Sequence, residues 1–305
     1  MHLLITGAWA GAQKYKDELE AMGHEVCFIR SGKDPLPCDY DWVEGLIGNG
    51  IFLAHPIEKF TNLRYIQLVS VGYDRIPMDY VAEHGIEIHN IGGVYSVPMA
   101  EYALMGVLML YKKMREFEAN RQAKVWEKRA DVLELFGKTV CIVGVGAVGT
   151  ESAKRFKAFG CKVIGVNRTV RDAAGFDEVR PMSELDAVLS TADVVLLAVP
   201  NTPETRHLMN EERLSLLKPT AVLVNVARGV IVDTEALLRH IDNIGGAVLD
   251  VFEEEPLPAD SSLWEKENVL LTPHNSFMGD GNPARTKEEI MRNLRGLNCD
   301  YIGKE

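Results

Sequence analysis

The stretch "TVCIVGVGAVGTESAKRFKAFGCKVIGVNRT", residues 139–169, decides the fold of this chain. It opens with an apolar run typical of a buried strand, passes through Gly144, Gly146 and Gly149 into a helix, and ends in a second apolar run. A GxGxxG pattern alone is a weak signal. Placed between a strand and a helix, in a unit of about 30 residues, it predicts a dinucleotide site. The alternative interpretation is a tight strand-to-helix turn without a ligand.

Each glycine of this motif has a separate physical role. Gly144 permits the tight turn, Gly146 lets the backbone approach a pyrophosphate, and Gly149 lets the helix and the strand pack closely. The helix N-terminus offers free amide N–H groups and a partial positive charge to the phosphates.

The end of the second strand bears on the choice of cofactor. NAD-dependent enzymes usually place an Asp or Glu there to bind the ribose hydroxyls. Here Asn167, Arg168 and Thr169 follow Val166. A neutral amide does not repel a 2′-phosphate, and a guanidinium can pair with one. We therefore predict that NADP is preferred and that NAD remains possible; the alternative is a solvated loop arginine.

The rest of the chain indicates a mainly parallel α/β architecture. Eleven short apolar runs alternate with amphipathic segments, as in a parallel sheet covered by helices on both faces. A long helix, with Ser96 as its predicted N-cap and Pro98 in its first turn, divides the series into two domains. Gly7 and Gly11 lack the GxGxxG spacing and predict an ordinary strand-to-helix turn. The chain is helical after Pro283, and this tail could return to the first domain.

Composition limits the possible partners. The 305 residues carry a net charge of -11 without a long Lys/Arg cluster, which argues against a nucleic acid or an anionic membrane as partner. The five cysteines form no CxxC pair, and the N-terminus does not resemble a secretory signal. We expect a cytoplasmic protein that binds small molecules, with no membrane partner and no metal site.

Three further strand ends carry polar side chains. The segment "VNVARGVIVD", residues 224–233, places Arg228 where a buried strand ends, a costly position for a cation unless an anion meets it. Asp250 and Glu255 follow another strand, and His274 follows the last. Each residue alone has an ordinary structural explanation. Together they suit acid–base chemistry on a substrate that bears a carboxylate.

These motifs resemble the D-isomer-specific 2-hydroxyacid dehydrogenases. The resemblance runs from about Gln67 to His274 and includes "LVSVGYDRIPMDY", "LLAVPNTPETRHLMN", "LVNVARGVIVD", "LDVFEEEPLP" and "NVLLTPH". It implies two doubly wound, Rossmann-like parallel-sheet domains: a flavodoxin-like substrate domain of residues 1–97 plus 276–305, and an inserted nucleotide domain of residues 98–275. It also implies a homodimer formed through the nucleotide domain. From the residues alone, the polar segment 115–138 with Trp126 is either a solvated connection or an arm that packs on a second subunit.

The resemblance also implies roles for the residues at the strand ends. Arg228 would bind the carboxylate and carbonyl of a 2-oxo acid. His274 would donate a proton to the carbonyl oxygen as hydride arrives from the nicotinamide, and Glu255 would hold the imidazole in the required tautomer. The N–H groups of Val71 and Gly72 would form a second carboxylate contact.

The cofactor positions carried over from the resemblance follow the same strand ends. They comprise the glycine motif with Ala147 and Val148 at the pyrophosphate, Asn167, Arg168 and Thr169 at the ribose, and Val199, Pro200, Thr205, Val226, Ala227 and Asp250 along the remaining path. Asp250 has the alternative role of capping the turn after its strand.

Three points qualify the resemblance. Phe277 stands where the family often shapes the substrate pocket, so a larger apolar substrate side chain than that of glyoxylate is expected. The same fold also serves a corepressor branch, which leaves open a catalytically weak dinucleotide-sensing protein that acts through protein partners. A formate-type dehydrogenase would carry glutamine where Glu255 stands.

Overall fold

The chain divides into two compact units, Met1–Val94 with Asp280–Glu305, and Tyr95–Gly279. The computed structural model describes residues 1–73 and 75–301. The sequence predicts domain boundaries after residues 97 and 275, whereas the observed boundaries follow residues 94 and 279. The assignment of a function to each unit stays a prediction.

The first unit contains a five-stranded sheet in the order β2-β1-β3-β4-β5. All its neighbouring strands are parallel. The strands are β1 His2–Thr6, β2 Glu25–Ile29, β3 Gly45–Gly48, β4 Tyr65–Leu68 and β5 Glu87–His89, with helices α1 Lys16–Ala21 and α2 Met78–Glu83. The three central strands are almost wholly buried because helices and loops cover both faces.

The second unit contains a seven-stranded sheet in the order β12-β11-β10-β9-β6-β7-β8. Its strands are β6 Thr139–Val143, β7 Lys162–Asn167, β8 Glu178–Pro181, β9 Val194–Leu197, β10 Val222–Asn225, β11 Gly246–Leu249 and β12 Val269–Leu271. Its helices are α3 Ser96–Tyr111, α4 Met114–Ala123, α5 Ala147–Ala158, α6 Leu185–Leu189, α7 Glu211–Ser215 and α8 Thr234–His240. All neighbouring strands are parallel. Since β6 leads to β7 on one side and pairs with β9 on the other, the end of β6 lies at a topological switch point, where such sheets bind ligands.

The alternation of side chains along β6 separates two apolar layers in this unit. Val140 and Ile142 pack into the layer that contains α3 and α5, whereas Cys141 and Val143 pack into the opposite layer. This period of two in a run that is apolar throughout is typical of a strand buried on both faces. Helix α3 approaches the sheet so closely that a Cβ on Gly106 would lie 2.5 Å from Val248 Cγ1.

The predicted α/β class with two parallel sheets is confirmed, and the structure adds detail to the elements. Each of the eleven apolar runs contains a strand, while β8 was missed because its sequence, EVRP, lacks an apolar run and lies at the sheet edge. The N-cap position of α3 is occupied by Tyr95, whose side chain makes no capping hydrogen bond, so the prediction of Ser96 as N-cap is wrong. The tail forms helix α9, Asn282–Tyr301, and Asn293 donates to the Gln67 Oε1 of the first unit at 2.9 Å. None of the described helices has the length and apolar character needed to cross a membrane.

Candidate active site

The turn after β6 is shaped by its three glycines. Gly144 has φ of 105°, a left-handed conformation that favours glycine, and its N–H donates to Val166 O at 2.8 Å. A Cβ on Gly149 would lie 2.0 Å from Gly144 O, so helix α5 can begin here only with glycine at that position. At Gly146 an added Cβ would meet nothing within 4 Å, which leaves open space directly before the helix.

The N-terminus of α5 faces this space without a side-chain cap. Gly146 is the N-cap residue and offers no side-chain acceptor. The N–H groups of Ala147 and Val148 belong to the first turn, where a helix has no partners of its own for them. The turn therefore provides a concentration of N–H donors suited to a pyrophosphate.

Asn167 is the last residue of β7 and connects the glycine turn to the next loop. Its Oδ1 accepts from Val145 N at 3.5 Å, and its Nδ2 donates to Thr169 O at 2.9 Å. Arg168 is exposed and makes no hydrogen bond or ion pair with the part of the chain that the structure describes. No described carboxylate stands at the ribose position of this strand end.

The other predicted cofactor residues differ in what they contact. Val199 lies against the glycine turn, because a Cβ on Gly144 would come within 3.1 Å of Val199 Cγ1. Thr205 is directed into its own turn, where Oγ1 donates to Pro200 O at 2.6 Å and accepts from Thr202 N at 2.8 Å. Both Val226 and Ala227 are buried beside the end of β10, with 2% and 7% of their surfaces exposed.

Arg228 follows β10 in an extended conformation and is held by its own strand end. Asn225 Nδ2 donates to Arg228 O at 2.9 Å, and Asn225 Oδ1 accepts from Ala227 N at 3.1 Å. The guanidinium donates from Nη1 to Ala227 O at 2.7 Å and has no carboxylate partner among the described residues. Its side chain is exposed, so solvent can hydrate the guanidinium where a ligand does not meet it. That a substrate carboxylate meets it stays a prediction.

His274 and Glu255 are in direct contact. His274 Nδ1 lies 2.8 Å from Glu255 Oε2, and the other oxygen of Glu255 accepts from Phe252 N at 3.0 Å. His274 has φ of 51°, which is uncommon for a residue with a side chain. The imidazole and the carboxylate are 42% and 36% exposed, so both remain accessible to a small ligand.

Asp250 fixes the loop that carries His274. It is fully buried, and its carboxylate accepts from Thr272 Oγ1 at 2.6 Å, Asn275 N at 2.7 Å and Ser276 N at 2.9 Å. Its carbonyl oxygen accepts from His274 N at 2.8 Å. This arrangement accounts for the left-handed backbone of His274, and it matches the structural alternative considered for Asp250. A contact with the nicotinamide stays a prediction.

Phe277 lies edge-on to the imidazole. The ring centroids of His274 and Phe277 are 6.1 Å apart at 85°, and Tyr95 packs on Phe277 at 5.5 Å and 73°. Two aromatic rings therefore border the accessible imidazole.

Val71 and Gly72 follow β4 in the first unit. Their carbonyl oxygens accept from Asn90 Nδ2 at 2.7 Å and from Ser70 Oγ at 3.2 Å, respectively. Within residues 1–73 and 75–301 their N–H groups make no hydrogen bond. Two backbone donors are thus left available at this strand end.

Comparison with known proteins identifies the family. Residues 104–276 match the model of the D-isomer specific 2-hydroxyacid dehydrogenase NAD-binding domain. Over 250 residues the chain is 40% identical to a glyoxylate reductase of Pyrococcus furiosus, an alignment that covers 78% of this chain and 73% of that protein. The chain belongs to the D-isomer specific 2-hydroxyacid dehydrogenase family.

Solved structures of this 2-hydroxyacid dehydrogenase family share the fold over nearly the whole chain. A family member from Xanthobacter autotrophicus Py2, solved with NADPH and MES, is 29% identical, with a TM-score of 0.78 over 98% of this chain and 95% of its own. D-lactate dehydrogenase from Aquifex aeolicus, solved with NAD and lactic acid, is 28% identical, with a TM-score of 0.75 over 99% and 96%.

Several residues that support the site of this dehydrogenase were missed at the level of sequence. Asn225, Thr272 and Ser276 hold the segments of Arg228 and His274 through the bonds described above, and Tyr102 hydrogen-bonds Thr272. The available signal was a buried polar residue at the end of an apolar strand, which Asn225 provides. A second histidine–glutamate pair, His207 with Glu253, gave no comparable signal because its partners are 46 residues apart.

Proposed function

We propose that this 2-hydroxyacid dehydrogenase acts as an NAD(P)H-dependent reductase that converts a 2-oxo acid into a D-2-hydroxy acid. The proposal rests on the contact of 2.8 Å between His274 Nδ1 and Glu255 Oε2. The loop that carries Glu255 packs directly on the residue after Arg228, since a Cβ on Gly229 would lie 1.8 Å from the carbonyl carbon of Phe252. An oriented imidazole and a cation held by adjoining loops suit proton transfer to a bound 2-oxo acid.

Arg228 serves as the carboxylate-binding group in this proposal. Its guanidinium has donors left over after the single bond to Ala227 O, and the planar fork matches a carboxylate. The available N–H groups of Val71 and Gly72 are the proposed second contact. Fixing the carboxylate at several points orients the neighbouring carbonyl, which determines the face that receives hydride and hence the D product.

His274 is the proposed proton donor. A carboxylate only accepts, so Glu255 fixes the proton of the imidazole on Nδ1 and leaves Nε2 to face the substrate. In the charged imidazole Nε2 carries a second proton, which passes to the carbonyl oxygen during reduction. In the oxidative direction Nε2 takes that proton back.

The glycine turn fits a nicotinamide dinucleotide. The open space at Gly146 accommodates a pyrophosphate, and Ala147 and Val148 would donate their N–H groups to it. When bound in its reduced form, the dinucleotide supplies the hydride.

We propose NADP as the preferred form of the cofactor, with NAD as a weaker alternative. The strand end offers a neutral amide in Asn167 and an exposed guanidinium in Arg168, which is unpaired among the described residues, with Thr169 beside them. These groups favour a ribose that carries a 2′-phosphate. Structural neighbours have been solved with NADPH and with NAD, so fold alone does not decide between them.

The substrate side chain is proposed to be larger than that of glyoxylate and apolar. Phe277 and Tyr95 supply aromatic surface next to His274, and such surface gains from contact with an apolar group. Glyoxylate would leave this surface uncovered.

A homodimer formed through the second unit is proposed from its exposed apolar surface. A groove along α3 and the start of α4 is lined mainly by the apolar residues Leu104, Met105, Leu108, Met109 and Met114. Trp126, in the segment after α4, is 99% exposed. Contiguous exposed apolar surface of this kind is typical of a protein interface, and sedimentation equilibrium at several concentrations tests for it.

The alternative of a dinucleotide-sensing protein is not favoured, because the named relatives reported above are reductases and dehydrogenases. The cytoplasmic location stays a proposal, which the four described free cysteines support.

The decisive experiment follows nicotinamide absorbance with NADPH and NADH in turn against glyoxylate, pyruvate, and branched and aromatic 2-oxo acids. Oxidation of NADPH with a branched or aromatic acid, with a D-hydroxy product on chiral chromatography, is the expected result. Binding of both cofactors without turnover of any acid would contradict the reductase. Faster turnover of glyoxylate than of the larger acids would contradict the proposed role of Phe277 alone.

A further inference from the structure

A second histidine–glutamate contact lies on the same loop as the first. His207 Nε2 is 2.6 Å from Glu253 Oε1, only two residues before Glu255. The other oxygen of Glu253 accepts from Thr234 N at 3.0 Å, at the start of α8. Burial raises the pKa of Glu253, but the hydrogen bonds from His207 and Thr234 outweigh it and bring the pKa below its usual value.

The backbone at His207 is joined to the segment that follows Arg228. His207 N donates to Val230 O at 2.7 Å, and Met209 N donates to Ile231 O at 3.0 Å. His207 has φ of 49°, a conformation that a histidine adopts only when its surroundings hold it there. The main chain of His207 thus follows the Arg228 segment while its side chain reaches Glu253.

The two segments that His207 joins are also in direct contact with each other. A Cβ on Gly229 would lie 1.9 Å from Phe252 O and 2.4 Å from Glu253 N, so no side chain fits between them. Phe252 N in turn donates to Glu255 at 3.0 Å. One chain of contacts therefore runs from the segment of Arg228, through Glu253 and Phe252, to the carboxylate that orients His274.

We propose that His207 and Glu253 form a positioning pair that fixes the spacing between Arg228 and the Glu255–His274 pair. The inference rests on the proposed function, in which Arg228 and His274 act on one substrate. Neither member of the pair needs to touch that substrate. The pair ties the loop of Glu255 to the segment of Arg228, and a misplacement of about 1 Å between reacting groups can lower a rate by up to about 100-fold.

The test compares His207→Ala, His207→Gln and Glu253→Gln with the wild type in steady-state turnover. We expect His207→Ala to lower kcat by about tenfold, because the reacting groups lose their spacing, while KM for the 2-oxo acid and Kd for the cofactor change less than about threefold. Glutamine at residue 207 can still donate to Glu253, so His207→Gln should recover most of kcat. Glu253→Gln should lower kcat like His207→Ala, and combining Glu253→Gln with His207→Ala should add little further loss.

A matched control is available in the same unit. His240 Nε2 lies 2.5 Å from Glu211 Oε1 in a pair that joins α7 and α8, outside the segments of Arg228 and Glu255. His240→Ala removes an equivalent contact and should leave kcat unchanged. Thermal unfolding of each variant shows whether a loss of kcat follows a general loss of structure.

The outcomes separate the inference from the proposed function. If His207→Ala keeps the wild-type kcat, or if KM and cofactor Kd rise while thermal stability falls, without rescue by glutamine, the positioning role is wrong while the reductase stands. If the wild type itself reduces no 2-oxo acid, the proposed function fails and the positioning role fails with it.

Discussion

The first strand of each parallel sheet is followed by a turn that contains glycine. A side chain occupies the turn after β1, whereas the turn after β6 is open. After β1, Trp9 folds into the turn with 3% of its surface exposed and stacks on Tyr15 at 5.4 Å. After β6, the corresponding space at Gly146 is open for at least 4 Å beyond an added Cβ. The two strands are alike in being parallel, central and buried.

Parallel sheets bind ligands beyond the carboxyl ends of their strands, and of these two turns the one after β6 leaves space for a ligand. An indole fills the first turn from within the protein and adds to the core. In the second turn the glycines leave the space empty and expose the N–H groups of α5, which is suited to a phosphate.

The largest expected effect on catalysis comes from Arg228, whose guanidinium has no carboxylate partner among the described residues. Arg228→Ala should lower kcat/KM on the order of 10³-fold, because the substrate loses its charged carboxylate contact, while cofactor Kd is unchanged. The measurement is turnover together with a fluorescence titration of NADPH. Arg239→Ala, which removes an exposed arginine paired with Glu211, is the control and should have no effect. Normal turnover by Arg228→Ala would refute the carboxylate assignment.

Emptying the first turn should cost stability without creating a nucleotide site. Trp9→Ala should lower the free energy of unfolding by about 3 to 5 kcal/mol, since the indole is buried and leaves a cavity. Urea unfolding measures this loss. An unchanged midpoint, or a second equivalent of bound NADPH, would show that the filled turn and the open turn are less different than proposed.

One buried histidine should make the stability of the protein depend on pH. His24, in the first unit, is buried, and neither ring nitrogen has a hydrogen-bond partner within residues 1–73 and 75–301. Burial lowers its pKa from 6.5 to about 4. The unfolded chain therefore binds the proton first as pH falls. The contribution of His24 to the free energy of unfolding is fully present above pH 6.5. That free energy should decrease by up to about 3 kcal/mol as the pH falls toward 4.

His24→Leu removes this contribution and should flatten the dependence of the unfolding free energy between those pH values. An equal slope in the wild type and in His24→Leu would assign the pH dependence to other groups.

Filling the open turn should act on binding without affecting the fold. Gly146 has φ of -92° and ψ of -162°, which any residue can adopt, so Gly146→Val should change stability by less than about 0.5 kcal/mol. Its side chain would take the space of the pyrophosphate, and Kd for both cofactors should rise by about 100-fold, equivalent to about 2.7 kcal/mol. Gly296→Ala, in α9, adds a Cβ that also meets nothing within 4 Å and should leave Kd unchanged. Retained affinity in Gly146→Val would move the site elsewhere.

The smallest effect concerns selectivity at the ribose. Arg168→Ala should raise Kd for NADPH by about tenfold, equivalent to about 1.4 kcal/mol, and change Kd for NADH by less than about twofold. Arg180→Ala, on the neighbouring strand β8, removes an arginine that already pairs with Glu178 and Glu184 and serves as the control. Equal losses for both cofactors would show that Arg168 does not bind a 2′-phosphate.

The accuracy of the sequence-based predictions varies with the range of the interactions involved. Strands such as β6 and β10 were predictable because a run of apolar residues is itself the signal of burial on both faces. Strand β8 was not, because an exposed edge strand needs no apolar run. For Arg228, sequence predicted its place at a strand end but not its exposure, which depends on the chain around it.

The sequence by itself determined the glycine turn, the order of every strand except β8, and the candidate residues at the strand ends. These follow from local rules, namely the period of the side chains, the conformations open to glycine and the parallel direction of the strands. The resemblance implied the contact of His274 with Glu255, and the tertiary structure supplied its geometry. Only the tertiary structure decided that Asp250 meets the loop after β12 and that His207 meets Glu253. Such contacts join residues 19 to 46 positions apart, and their geometry depends on how several loops pack together, which no local pattern records.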